Sequence, residues 1–334
     1  MQEFIDFIFF EVWCKAPKTE AFSLDLFDSK PELKEVIETF HYSDTKGADF
    51  FNGHIERIYN LFTKLTDDQI DQFKQWYRAN NNIEKACAND PTIQIVRYVD
   101  IQPLYPELSN QLASFFKGLY SQNLLNLKAL KEKIGDIKEH YNEFMTVNNK
   151  KICPFCGINR IFGKDHPRRE AYDHYLPKGL YPFNSINFYN LVPACHHCNS
   201  SYKLSKDPLA KRRKIFYPYA APSHKIEITI NLSKPDVDAL TDTDIQLIFG
   251  PSVISEELET WKDIYGIEKR YKEICCSNDA MDWLEQIRTL HDSGVKPEES
   301  LAMVRQQTEK YPFANSNFLK IAFLEGCQRI GMWT

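Results

Sequence analysis

Two CxxC pairs constrain this chain more than any other feature. Cys153-Pro154-Phe155-Cys156 and Cys195-His196-His197-Cys198 each hold two thiols on one tight turn. Two such knuckles can complete a tetrahedral zinc site with Zn–S distances of ~2.3 Å. A simple zinc ribbon separates its pairs by about 15–20 residues. Here residues 157–194, 38 in all, intervene, so further structure has to fit between the knuckles. The other five of the nine cysteines, Cys14, Cys87, Cys275, Cys276 and Cys327, are scattered and read as buried free thiols. Met1-Gln2-Glu3-Phe4 has no basic run, and the apolar stretch from Phe4 to Trp13 is broken by Asp6 and Glu11. Neither a secretory leader nor a membrane span is expected, and the reducing cytoplasm is the expected location.

Charge singles out the same region. The 334 residues carry a net charge of −5, which alone argues against a nucleic-acid binder. From Lys151 to Lys225, however, 13 Lys and Arg face 4 Asp and Glu, while the remainder holds 28 against 42. A basic block inside an acidic protein attracts a polyanion while the whole molecule stays soluble. A merely solvated basic face is the alternative.

Residues 1–150 read as helical. Leu127, Leu130, Ile134, Ile137, Tyr141 and Phe144 form one stripe, which predicts a helix from about Leu124 to Met145. Thr66 followed by Asp67 and Asp68 predicts a capped helix through about Arg78, and Pro106-Glu107 opens another through about Tyr120. Beyond the basic block, Ile226–Ile230 alternates as a half-buried strand, and Ile245–Phe249 is a second strand ended by Gly250-Pro251. From Glu256 the pattern is helical again. The expected organisation is a helical domain over 1–150, a zinc-stapled module over 151–225, and a β-hairpin with helices over 226–334. The fold class is α+β, mostly helical.

Between the knuckles, Tyr172-Asp173-His174-Tyr175 reads as a strand running into a loop with Pro177, Gly179 and Pro182. Asn187–Pro193 reads as a strand returning toward the second knuckle. A short helix should begin near Cys198 and end by about Lys206, because Pro208 disfavours helical geometry at Asp207. On it Asn199, Lys203 and Lys206 would share a face. On a flat strand Asp173 and His174 point to opposite faces, so both can serve one phosphate only if the strand ends or twists there. His196 and His197 are expected to be exposed, since four cysteines already close a zinc shell.

Asp173-His174, Asn190 and Cys195-x-x-Cys198-Asn199, framed by Cys153-x-x-Cys156, resemble the HNH nuclease family over roughly residues 151–210. The resemblance implies a ββα-metal fold in which Cys153, Cys156, Cys195 and Cys198 hold a structural zinc. It implies that Asp173 and Asn199 bind a catalytic Mg²⁺ (or Mn²⁺), that His174 is the general base, and that Asn190 braces the loop orienting His174. Such chemistry suits phosphodiester hydrolysis leaving 5′-phosphate and 3′-hydroxyl ends. Lys178, Lys203, Lys206, Lys211, Arg212 and Arg213, with Lys214, would then contact phosphates.

The string Asp-His-Tyr-Leu-Pro-Lys with Asn-Leu-Val-Pro-x-Cys-x-x-Cys-Asn is also similar to nuclease subunits of anti-phage systems such as Septu, including retron-associated forms. Those subunits work beside an ATPase, which implies a partner of that kind for the acidic flanks. DNA is the expected substrate. An RNase on the same scaffold and a non-catalytic zinc-dependent binding module are the rival readings.

Overall fold

The computed structural model describes residues 1–19, 21–120, 122–237 and 239–332. The described chain is α+β and mostly helical, with two small antiparallel sheets. It divides into two compact units that interleave along the sequence. The first comprises Met1–Phe144, Tyr172–Pro193 and Ser205–Arg212; the second comprises Met145–Ala171, Ala194–Leu204 and Arg213–Thr334. The 151–225 stretch, which reads as one module in the sequence, is thus shared between them.

The first unit is helical because its apolar residues recur at helical spacing. Its N-terminal helix runs Gln2–Phe7 and continues as a π-helix over Ile8–Trp13. It buries Phe4, Ile5, Ile8, Phe9, Val12 and Trp13, each contributing about 2 kcal/mol. Phe9 stacks on Tyr77 at 4.0 Å between centroids, and the Trp13 indole donates to the Ile55 carbonyl at 3.0 Å. Asp6 lies off this face and accepts from the Tyr77 hydroxyl at 2.5 Å. Thr66 caps the helix Asp67–Asn81 through a reciprocal pair of bonds with Gln69, and Pro106 opens the helix Pro106–Leu119.

The single helix expected over 124–145 is instead three pieces, Gln122–Leu125, Lys128–Ile134 and Ile137–Val147. Gly135 breaks it at φ +76°, a conformation that side-chain-bearing residues rarely adopt. Asp136 restarts it, its carboxylate accepting from the Lys138 N–H at 2.9 Å. The apolar stripe runs across the break and hides it.

In the first unit, β1 (Tyr172–His174) pairs with β2 (Leu191–Pro193). In the second, β3 (Glu227–Leu232) pairs with β4 (Ile245–Gly250), placing Ile230 opposite Leu247. Helices Ser255–Tyr265, Ile267–Cys275, Asn278–Asp292, Pro297–Lys310 and Asn317–Arg329 complete the second unit. The first two join at Gly266, which has φ +60°. A β-carbon there would stand 2.4 Å from the Tyr202 ring, so only glycine lets that ring in. No helix among the described residues is long and apolar enough to cross a membrane.

Candidate functional site

The β1–β2 hairpin carries Asp173 opposite Val192 and His174 opposite Leu191. β1 spans Tyr172–His174, and one further backbone bond, from Tyr175 N–H to the Asn190 carbonyl, continues the pairing beyond it. Asp173 is buried and His174 is half-buried. His174 Nε2 lies 3.0 Å from the Ser185 carbonyl oxygen, and the His174 ring meets the Tyr120 ring edge to face at 4.6 Å between centroids. A carbonyl can only accept, so Nε2 carries the proton and Nδ1 holds the basic lone pair.

The loop supplying Ser185 is tied down at both ends. Asn190 is fully buried. Its Oδ1 accepts from Leu176 N–H at 2.7 Å, and its Nδ2 donates to the carbonyls of Leu176 and Asn184 at 3.0 and 3.2 Å. Its own carbonyl accepts from Tyr175 N–H at 2.9 Å, extending the ladder past His174. Farther along, Asn80 on the helix Asp67–Asn81 donates to the Pro182 carbonyl at 3.0 Å. Phe183, held at φ +77°, drives its ring among Phe9, Tyr77 and Phe116. That backbone conformation costs about 1–3 kcal/mol and persists because the aromatic core fixes the ring. Asn190→Ala leaves three buried backbone groups unsatisfied and is expected to destabilise the protein by about 3 kcal/mol. Thermal unfolding checks this, and an unchanged melting temperature would remove the bracing role.

The four knuckle cysteines converge in the second unit. Their sulfurs lie within 4.8 Å of one another, with Cys156 and Cys195 4.0 Å apart. Sulfurs at the corners of a ZnS₄ tetrahedron sit ~3.8 Å apart, given Zn–S of ~2.3 Å. The cluster could therefore hold a zinc ion, and all four cysteines are buried free thiols. The first knuckle closes through Gly157 N–H to the Cys153 carbonyl, at 3.0 Å, and Cys153 N–H to the Asn159 carbonyl, at 2.8 Å. Hydrogen bonding among the four thiols splits them, lowering the pKa of Cys195 and Cys156 and raising that of Cys153 and Cys198.

Residues outside the knuckles complete this centre. Asn159 Nδ2 donates to Cys195 Sγ and Arg270 Nη1 to Cys198 Sγ, both at 3.3 Å. The Arg270 guanidinium also covers the Tyr202 ring at 4.8 Å. The Trp261 indole donates to the Phe155 carbonyl at 2.6 Å and the Tyr271 hydroxyl to the Cys156 carbonyl at 2.9 Å. Four thiolates around a divalent ion leave a net charge of about −2, and a buried guanidinium offsets part of it. Arg270→Leu is expected to weaken zinc retention about 10–100-fold, the usual effect of losing such an outer partner. Competition against a colorimetric chelator reads this out, and equal retention would sink the claim.

The second knuckle leads into a π-helix over His197–Lys203, three residues shorter than the helix expected to reach Lys206. Its i→i+5 bond from Leu204 N–H to the Asn199 carbonyl shows that the turn is wider than an α-turn. The face predicted to join Asn199, Lys203 and Lys206 therefore does not form. Asn199 is half-buried, Lys203 is buried, with 1% exposure, and Lys206 lies beyond the helix and is exposed. Lys203 thus presents no surface charge for phosphate.

The remaining basic residues differ among themselves. Lys206, Lys211, Arg212 and Lys214 are exposed. Arg213 is turned onto Asp263 at 2.7 Å, and Lys214 lies 3.9 Å from Glu256, so their charges are partly spent inside the protein. Lys178 is half-buried, with its ammonium over the Tyr120 ring, and burial lowers its pKa. Asp207 anchors the Ser205–Arg212 segment to the first unit, bonding Arg97 at 2.7 Å and the Tyr181 hydroxyl at 2.6 Å. His196 and His197 are exposed, and His166 stacks on Phe162. Of the other cysteines, Cys276 is partly exposed and the rest are buried.

Over 131 residues the chain is 28% identical to the protein ea31 of Escherichia phage lambda. That stretch is 38% of this chain, which spans 40% of the length of that relative. No protein-family model matches the chain, and no solved structure matches it.

Arg270, Trp261 and Tyr271 were invisible to spacing arguments, since they reach the knuckles from 72 to 115 residues away. Tyr120 and His140 likewise carry no motif. Ser185 acts through its backbone, which no residue type announces.

Proposed function

We propose that this protein is a metal-dependent endonuclease that hydrolyses phosphodiester bonds of DNA, with His174 as its general base. The hydrogen bond between His174 Nε2 and the Ser185 carbonyl carries this reading. With the proton on Nε2, the imidazole keeps its basic lone pair on Nδ1, and such a lone pair can take a proton from water. Asp173 is a hard oxygen donor of the kind Mg²⁺ or Mn²⁺ takes. A bound divalent cation would neutralise charge on the phosphorus and assist the leaving oxygen. Exposed Lys206, Lys211 and Arg212 would hold the strand by its phosphates. The cysteine cluster would hold a structural zinc and take no part in the chemistry.

Incubating the purified full chain with supercoiled plasmid tests this, with Mg²⁺ and with Mg²⁺ omitted. Nicking that requires the cation is expected. A gel shift without any cutting would instead favour a zinc-stapled binding module, a reading that draws on the cysteine cluster alone. Digestion of RNA beside DNA separates the two nuclease forms. On the same reading the protein is the effector of an anti-phage system and docks on an ATPase. Full-rate cutting by a lone monomer with no companion in pull-downs would end that part.

A further inference from the structure

The first unit holds a cavity of about 220 Å³ beside the β1–β2 hairpin that the mechanism above does not use. Two of its lining residues lead directly to His174. The Tyr120 ring packs against the His174 ring, and Leu191 faces His174 across the ladder. A third wall is a stack of two flat rings, His140 and Phe188, 4.2 Å apart and tilted by 12°. His140 is fixed by the Tyr172 hydroxyl at 2.8 Å, and burial lowers its pKa. Phe188 remains 42% exposed, so part of its side chain is accessible.

The charges around this cavity are the reverse of a phosphate site. Asp136, Glu139 and Glu143 line it against two basic groups, the Lys131 ammonium, which is already paired with Asp136 at 2.7 Å, and the Met1 α-amino group, whose pKa burial lowers. Such a rim repels phosphate and attracts amino groups. Pockets for drug-sized ligands occupy about 300–1,000 Å³, so this one suits a single ring system rather than a whole nucleotide.

We infer that the cavity takes one unpaired nucleobase of the substrate strand, stacked on the Phe188 ring with an exocyclic amino group toward the acidic rim. This rests on the nuclease reading, which supplies the strand. A base inside a duplex is already stacked and paired and cannot enter, so the preferred substrate is single-stranded or locally opened. Aromatic stacking of this kind is tolerant of sequence.

The test uses the full zinc-loaded chain without added Mg²⁺ and a single-stranded oligonucleotide carrying one 2-aminopurine, whose fluorescence falls on stacking. Binding should quench the probe. Replacing the probe by an abasic site should weaken binding about tenfold or more. Phe188→Leu should lose the quench, and Phe188→Trp should retain it. Circular dichroism confirms that the variants fold, as expected for an exposed side chain. Equal affinity for the abasic strand, or a full quench by Phe188→Leu, would overturn the inference. Mg²⁺-dependent cutting without any quench sinks this proposal alone, whereas a quench without any cutting sinks the nuclease reading alone.

Discussion

Cys195→Ser is expected to strip the protein of zinc and to destabilise its second unit. Cys195 sits at the crossing of the cluster's hydrogen bonds. Its sulfur accepts from Cys198 N–H at 3.5 Å and from Asn159 at 3.3 Å, and its own N–H points to Cys153 Sγ at 3.5 Å. A serine hydroxyl is a poor zinc ligand, and three remaining thiolates in a buried pocket repel one another without the ion. Zinc binding and local folding are one equilibrium, worth about 10 kcal/mol or more in isolated finger peptides. The second unit has its own hairpin and helices, so only part of that is lost. A loss of about 5 kcal/mol lowers the melting temperature by about 10 °C or more. Metal analysis should fall from one zinc per chain to nearly none. A variant with full zinc and an unchanged melting temperature would show that the four sulfurs do not form a metal centre.

His174→Ala is expected to lower metal-dependent nicking about 10²–10⁴-fold, the usual contribution of a positioned base. The side chain is half-buried, hydrogen-bonded to the Ser185 carbonyl and packed against the Tyr120 ring at the end of a short strand, so the fold should survive its removal. Zinc content and the melting profile serve as controls, because the cysteines lie elsewhere in the chain. Nicking within about twofold of the parent would remove His174 from the proposed role, whatever the fate of the cleavage itself.

Local patterns in the sequence were informative where one short stretch decides the outcome. The four cysteines identify their own cluster by spacing, the Thr66 cap marks the start of its helix, and the alternation at 226–230 and 245–249 marks the β3–β4 pair. Periodicity failed at Gly135, because an apolar stripe continues in register across a break that only the backbone requires. It failed again at Lys203, where an i, i+4 argument assumed α-helical winding and the chain takes a π-turn that buries the lysine. Two interleaved units and the outer partners of the cysteines depend on contacts between residues tens to hundreds of positions apart, to which no short window is sensitive.

The placement of Arg270 has a consequence for the order of events during synthesis. All four thiols leave the ribosome before the guanidinium that shields Cys198, which follows 72 residues later. Until that arginine emerges with Tyr271, a nascent chain carries its sulfur cluster without its cover. Translation therefore passes through an interval in which oxidants and competing chelators have their best access, and the interval closes only when the C-terminal helices arrive.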